Sequence, residues 1–440
     1  MIKTDYVVVA GAGLAGCEAA WQLAKRGIPV RLYEMKPEKF TPAHHSPDFA
    51  ELVCSNSLGS NDIEKAAGLM KQELRLLDSL LIRIADEKSV PAGQALAVDR
   101  EGFSRAVTEE IHRTPGIEVI ARELTEIPED RHVLLATGPL TSETLSAKIR
   151  ELCGSEYLYF YDAAAPIVTA ESVDMDHAYL QSRYDKGEGQ YINCPLTEEE
   201  YGIFYRELLA AERVPPKVFE KEKLFDACMP VEKIAATGEK TLIFGPLKPK
   251  GLTNPRTGRE DYAVVQLRQD DGAGRLYNLV GFQTNLKWGE QKRVFSLIPA
   301  LRRAEFVRYG VMHRNTFINS AKLLDGSLCL KSRDNVWFAG QLTAAEGYVC
   351  AVATGALAGI NIARRIKGRP PFILDERTAT GAIIRYITTD NDNLQPMGPN
   401  FGVMKGPDPP IRDKRKKAQK MAETAIQYLE TKLEEDIFGI

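Results

Sequence analysis

Residues 5–34, DYVVVAGAGLAGCEAAWQLAKRGIPVRLYE, constrain the fold more than any other stretch of this chain. An apolar run from Tyr6 to Ala10 reads as a buried parallel strand, and Gly11, Gly13 and Gly16 follow as G-x-G-x-x-G. A helical pattern then runs through Ala20 and Leu23 to Gly27, and a second strand, PVRLYE, ends in Glu34. Each part has a physical task. Gly11 permits the tight turn, Gly13 lets the backbone approach a pyrophosphate, and Gly16 lets helix pack close to strand. Free N–H groups and the dipole at the helix start favour the anion, so the turn Gly11, Ala12, Gly13, Leu14, Ala15 and Gly16 is expected to hold a dinucleotide. Glu34 is placed to accept hydrogen bonds from the adenosine ribose.

Two later stretches favour FAD over NAD. HVLLATGPL (132–140) is an apolar strand ending in Ala136, Thr137 and Gly138, where flavoprotein chains return to the cofactor sheet. NVWFAGQLTAAEGYVCAVATGALAGINIARRI (335–366) reads as a strand, a turn at Gly340 and Gln341, and a long small-residue helix aimed at the flavin end. GAGRLYN (272–278) lacks the third glycine and reads as a hairpin turn, which leaves no sign of a dedicated NAD domain. The expected architecture is α/β: a Rossmann-like FAD-binding domain interrupted by an inserted α+β domain, with NAD(P)H a transient reductant.

The chain of 440 residues is long enough for two or three folding units. Residues 1–180 read as the first part of the FAD domain, with a strand–helix–strand excursion at 93–124. Residues 181–300 read as a helix-containing insertion, and the alternating pattern of 240–286 suggests antiparallel strands. Residues 301–440 read as the second part of the FAD domain with a basic C-terminal helix. No run approaches the roughly 18 apolar residues of a membrane span, and the start leaves no room for a signal peptide. Seven scattered cysteines without a CxxC pair suit a reducing cytoplasm rather than a disulfide framework or zinc ribbon. Net charge is −3, so an RNA partner would need local basic patches.

Cys54, in ELVCSNSLGS, and Cys228, in LFDACMPVEK, stand apart from the other cysteines because neither context is apolar. Both read as loop cysteines, where scaffold-held chemistry concentrates, though reactivity needs a pKa-lowering neighbour. His44 and His45 are adjacent rather than one helical turn apart, so no metal site is expected.

The stretches GAGLAGCEAAWQLAKRG, TPAHHSPDFAELVCSNSL, VPAGQALAVDREGF, ATGPLTSETL, FDACMPVE, YAVVQLRQD, YNLVGFQTNL, MHRNTFINS and FAGQLTAAEGYVCAVATGALAGIN together resemble the TrmFO family. These are folate- and FAD-dependent tRNA (uracil-C5) methyltransferases, kin to the GidA flavoproteins. The resemblance runs from Gly11 to about Phe401. Ala12, Cys17, Ala227 and Gly59 depart from the family pattern, Gly59 standing where arginine is more usual. The resemblance implies a GidA or glutathione-reductase type of FAD domain. It also implies methylation of the T-loop uridine at tRNA position 54, with the carbon of 5,10-methylenetetrahydrofolate and hydride from reduced FAD recharged by NAD(P)H. Cys228 is then the thiol that attacks uracil C6, and Cys54 acts beside the flavin. The target would be the T-arm, and no protein partner or membrane is implied. Ribosomal RNA, a GidA-like wobble uridine, and a small-molecule flavin oxidoreductase are the alternatives.

Two basic stretches suit phosphate. PLKPKGLTNPRTGR carries Lys248, Lys250, Arg256 and Arg259. IRDKRKKAQK carries six cations from Arg412 to Lys420, among them Arg415 and Lys416, at the start of a predicted helix where they oppose the dipole. Tyr348, Phe282 and Tyr277 are candidate stacking partners for an extruded base, and His313 is a candidate site residue.

Overall fold

The computed structural model describes residues 2–154, 157–163, 165–185, 191–214, 229–310, 312–390 and 394–435, with backbone alone at 157–163, 185 and 312–315. Its first sheet has six strands in the spatial order Cys329–Leu330, Arg333–Phe338, Arg131–Leu135, Lys3–Ala10, Val30–Glu34 and Ile117–Ala121. All neighbours are parallel except the edge pair Cys329–Leu330 and Arg333–Phe338. Val7, Val8, Val9 and Ala10 are buried, as a central strand covered on both faces requires. The expected helix spans Leu14–Lys25 and packs against the small-residue helix Tyr348–Ile366. The latter is the one described helix long and apolar enough to cross a membrane, and it is largely buried inside the protein.

The excursion at 93–124 forms strand Ala95–Val98, helix Arg100–Arg113 and strand Ile117–Ala121. Asp99 caps that helix, its side chain accepting from the N–H of Gly102 at 2.8 Å.

A second, antiparallel sheet has its own core, built around Tyr201, Phe204, Phe282 and Phe295. Its strand order is Tyr179–Gln181, Tyr191–Leu196, Ala263–Gln269, Leu276–Leu279, Ile167–Thr169 and Phe306–Arg308. GAGRLYN supplies the turn and first residues of the pairing between Ala263–Gln269 and Leu276–Leu279. The sheet reaches beyond the 181–300 expected for the insertion at both ends. The outlying strands are three residues each, too short to show alternation in a sequence. Within 240–286 the pattern also misleads: Thr241–Phe244 is a helical turn, not a strand. Gly245-Pro246 closes that run after four residues, and Pro246 has no N–H to give a ladder. Chain enters and leaves the second unit through an antiparallel ribbon, in which Tyr157–Ala163 pairs with Met312–Ile318.

The basic C-terminal helix, Lys414–Glu435, packs on helix Ala66–Leu76 through Met421, Ala422, Ala425 and Leu429.

Candidate functional site

The G-x-G-x-x-G turn has the tight bend and the close approach of helix to strand that its spacing predicts. Gly11 sits at φ +94°, and a Cβ on Gly16 would stand 1.8 Å from the Gly11 carbonyl oxygen, so only glycine lets the helix start this close to the strand. A Cβ on Gly13 would meet nothing within 4 Å, because its Cα faces an open cavity. Gly13 is also the N-cap of Leu14–Lys25, and no side chain caps that helix. Its first N–H groups are therefore available to an anion. Glu34 is buried, with one carboxylate oxygen accepting from the N–H of Ala12 at 2.8 Å and the other from the N–H of Lys36 at 3.0 Å.

The cavity, about 440 Å³, is lined by Gly11 to Ala15, Glu34, Thr137, Gly138, Gly340 and Gln341, which brings together every residue expected to hold the cofactor except Gly16, which is spent on packing. A second helix, Tyr348–Ile366, also opens on it with an uncapped N-terminus behind Gly347. An open cradle over Gly13, an uncapped helix start and a buried acid at the end of the second strand fit the pyrophosphate and ribose of FAD.

Cys54 and Ser55 line the same cavity. The loop is tied to the cofactor turn by the Ala50 N–H, which donates to the Ala12 carbonyl at 2.9 Å. The N–H groups of Cys54 and Ser55 both donate to the Tyr348 Oη, at 2.8 and 3.1 Å. Burial, with the nearby Cys54, pushes the Tyr348 phenol well above its ordinary range, so it stays protonated. Asn56 is fully buried, and its amide donates to the carbonyls of Val98 (2.9 Å) and Gln269 (2.7 Å), one from each unit. Burial pushes Cys153 and Cys329 up to about 12, which leaves them as thiols.

Residues 6–370 match the family described as glucose inhibited division protein A. The chain is 63% identical over 427 residues to the methylenetetrahydrofolate–tRNA-(uracil-5-)-methyltransferase TrmFO of Fusobacterium nucleatum, covering 97% of this chain and 98% of that one. It is 59% identical over 424 residues to the protein of the same name from Bacillus licheniformis, covering 96% and 98%. The chain belongs to the TrmFO family. Its fold is that of Aquifex aeolicus GidA, whose form II crystal structure superposes with a TM-score of 0.71 at 14% identity, over 97% of this chain and 73% of that one.

The structure separates the other candidates read from the sequence. Phe282 is fully buried in the second core, so it cannot stack on a nucleobase; its ring instead packs edge-on to Phe295. Arg256 is exposed, yet its guanidinium donates to the carbonyls of Met175 and Ala178 at 2.8 and 2.6 Å, holding its own loop. Arg415 is exposed and pairs with Glu64 at 3.2 Å; Lys248, Lys250, Arg259 and Lys416 are exposed as well. Tyr277 is half-buried. Cys228 and the side chain of His313 lie outside the described residues. What sequence reasoning missed is the set of groups around Cys54: Arg100, Asp270, Arg268 and Arg308. YAVVQLRQD, which forms the second sheet's long strand, carries Arg268 and Asp270, and VPAGQALAVDREGF carries Arg100, but neither stretch marks them as neighbours of Cys54.

Proposed function

We propose that this protein methylates C5 of the T-loop uridine, position 54, of tRNA, with Cys228 and Cys54 as its working thiols. The observation that supports this most is Cys54 lining the cavity that fits FAD. Carbon C5 of uracil is a poor nucleophile, and addition of a thiolate at C6 makes it an enolate that attacks a one-carbon electrophile. Methylenetetrahydrofolate brings that carbon at the formaldehyde level, so two electrons must follow it. FAD, recharged by NAD(P)H, supplies those electrons when bound. This chain contributes the anion-binding turn, the ribose acceptor Glu34 and a thiol held at the cavity wall. We assign Cys228 the attack on C6 and Cys54 the handling of the one-carbon unit. The cytoplasmic location expected from cysteine usage belongs to the same proposal. The wobble-uridine reading is less well supported, since the relatives at 63% and 59% identity both bear the name of a tRNA (uracil-5-)-methyltransferase.

The test is mass spectrometry of an unmodified tRNA transcript incubated with the FAD-loaded protein, NADPH and methylenetetrahydrofolate labelled in its methylene carbon. Label appears in 5-methyluridine at the T-loop, and a ribosomal RNA fragment stays blank. Cys228→Ala abolishes both the label and covalent trapping by a 5-fluorouridine RNA. Label at another position, or undiminished trapping, overturns the corresponding assignment.

The basic face of the C-terminal helix is the proposed electrostatic footprint of the RNA. Lys414, Lys416 and Lys417 are exposed at the end of the helix where cations cost stability rather than add it. Replacing all three with Gln weakens tRNA binding and lowers the slope of log Kd against log salt by about 1–3, as loss of one to three phosphate contacts predicts. An unchanged slope, measured by filter binding across a salt series, removes this face from the interface.

A further inference from the structure

Three guanidinium groups from three separate elements converge on the loop that carries Cys54. Arg100, at the start of helix Arg100–Arg113, donates to the carbonyl of Leu52. Arg308, on the edge strand of the second sheet, donates to the carbonyl of Val53 at 2.6 Å. Arg268, on strand Ala263–Gln269, donates to Ser55 Oγ at 2.7 Å and to Asn56 Oδ1 at 3.2 Å. Residues 52, 53, 55 and 56 are thus each held by a cation, and Cys54 is the residue between them.

We propose that Arg268 and Arg100 are positioning residues that fix the Cys54 loop and stabilise the Cys54 thiolate, with Arg308 fixing the same loop at Val53. This rests on the reading of Cys54 as a working thiol.

The charge balance supports it. Asp270 forms a two-point ion pair with Arg100, at 2.7 and 2.9 Å. Among the described residues, neither Arg268 nor Arg308 has a carboxylate within ion-pair distance. Among the described residues, the other titratable groups at the loop or on the cavity wall it shares include His44, Glu346, the phenols Tyr191 and Tyr348, and Glu51, which is engaged by the N–H groups of His45 and Ser46 and by Lys36. Three cations therefore stand against one directly paired anion, and a thiolate at Cys54 is the natural second anion. Two buried cations on which Asp270 acts only from beyond ion-pair distance are costly, and their proton affinities reflect it. Burial lowers Arg268, while burial and then Arg100 lower Arg308. A Cys54 thiolate acts the other way, favouring the charged forms of Arg100 and Arg268. Such coupling is mutual, so the same cations favour the thiolate. A serine or apolar residue at position 54 could not return that stabilisation.

The experiment is alkylation of Cys54 by iodoacetamide in the FAD-loaded protein, followed by peptide mass spectrometry from about pH 6 to about pH 9.5, a range spanning lowered and ordinary thiols. In the parent protein the rate has its midpoint below the ordinary thiol value of about 8.5. Arg268→Gln moves the midpoint up by about one unit, and Arg268→Lys, which keeps the charge, moves it less. A purely structural role changes the rate equally at every pH and leaves the midpoint in place. That result, or superimposable profiles at equal FAD content, overturns the proposal. Its failure is separable from that of the functional reading: a Cys54→Ala protein that methylates tRNA at the parent rate removes the thiol from the reaction, while the alkylation midpoints still report on the arginines.

Discussion

Gly16→Ala is expected to give a protein that does not retain FAD and that unfolds at markedly lower temperature than the parent, where it can be obtained in soluble form. The added methyl would stand 1.8 Å from the Gly11 carbonyl oxygen and 3.5 Å from the Val9 side chain. The first contact is with backbone that is itself fixed. Gly11 lies at φ +94°, its N–H donates to the Tyr33 carbonyl at 2.8 Å, and a Cβ of its own would be 2.8 Å from the Ala136 oxygen. Neither partner can yield without separating the first strand from its helix, so the cost exceeds the roughly 1–3 kcal/mol of ordinary overpacking. Gly13→Ala is the informative companion. Nothing in the protein lies within 4 Å of its added methyl, so the fold and the thermal midpoint of the apoprotein should be retained. FAD affinity should still fall by at least tenfold, because the methyl occupies the cradle that the pyrophosphate approaches. The check is the flavin absorbance per protein after gel filtration, set beside thermal unfolding of the apoproteins. Equal FAD retention in Gly13→Ala would move the pyrophosphate away from this turn.

The contrast between these two glycines also marks what a sequence can disclose. Local periodicity and a fixed glycine spacing specify the strand, turn and helix, because each of those signals is complete within about thirty residues. Groups that meet across the fold carry no such signal. Lys71 and Glu73, in MKQELRLL, are charged residues that nothing nearby in the sequence marks as buried. Both are fully buried. Lys71 donates to the carbonyls of Leu58 (2.8 Å) and Ala67 (3.1 Å), and burial pulls it down to about 7. Glu73 accepts from the N–H groups of Ala379 and Thr380, at 2.6 and 2.8 Å, and burial pushes it up to about 7. Its partners are some three hundred residues away in the chain. The arginines around Cys54 were invisible for the same reason: a polar context marked the cysteine, but nothing near it in sequence named the cations. Phe282 failed in the opposite sense, since an aromatic beside a glycine and a glutamine looks like a surface residue until the second core is seen to close over it.

Asp270→Ala is the second large effect, and it tests whether the Cys54 loop depends on the second unit. The carboxylate is nearly inaccessible, at 3% exposure, and Arg100 opposite it is at 12%. Burial alone would lower the Arg100 guanidinium, and the partnership with Asp270 more than offsets that, holding it above its ordinary value. The same carboxylate accepts from the Asn278 amide at 3.0 Å, and that amide also reaches Asn56 Oδ1 at 3.2 Å. One acid therefore anchors the helix start, the second sheet and the loop beside the cavity. Removing it leaves Arg100 buried and unpaired, which costs about 3–5 kcal/mol, and lowers the unfolding midpoint accordingly. FAD should still bind, because the cofactor turn belongs to the other core. Methylation should fall by about a hundredfold or more, since a displacement near 1 Å in a positioned group has effects of that size. The pair Arg100→Met with Asp270→Leu separates the two consequences. Replacing both buried ions with apolar groups of similar volume should restore much of the lost stability, and it should leave methylation impaired because the Leu52 carbonyl has lost its donor. A double variant that recovers activity along with stability would show that the ion pair serves only to hold the two units together. Recovery of stability alone would locate its second role at the loop carrying Cys54.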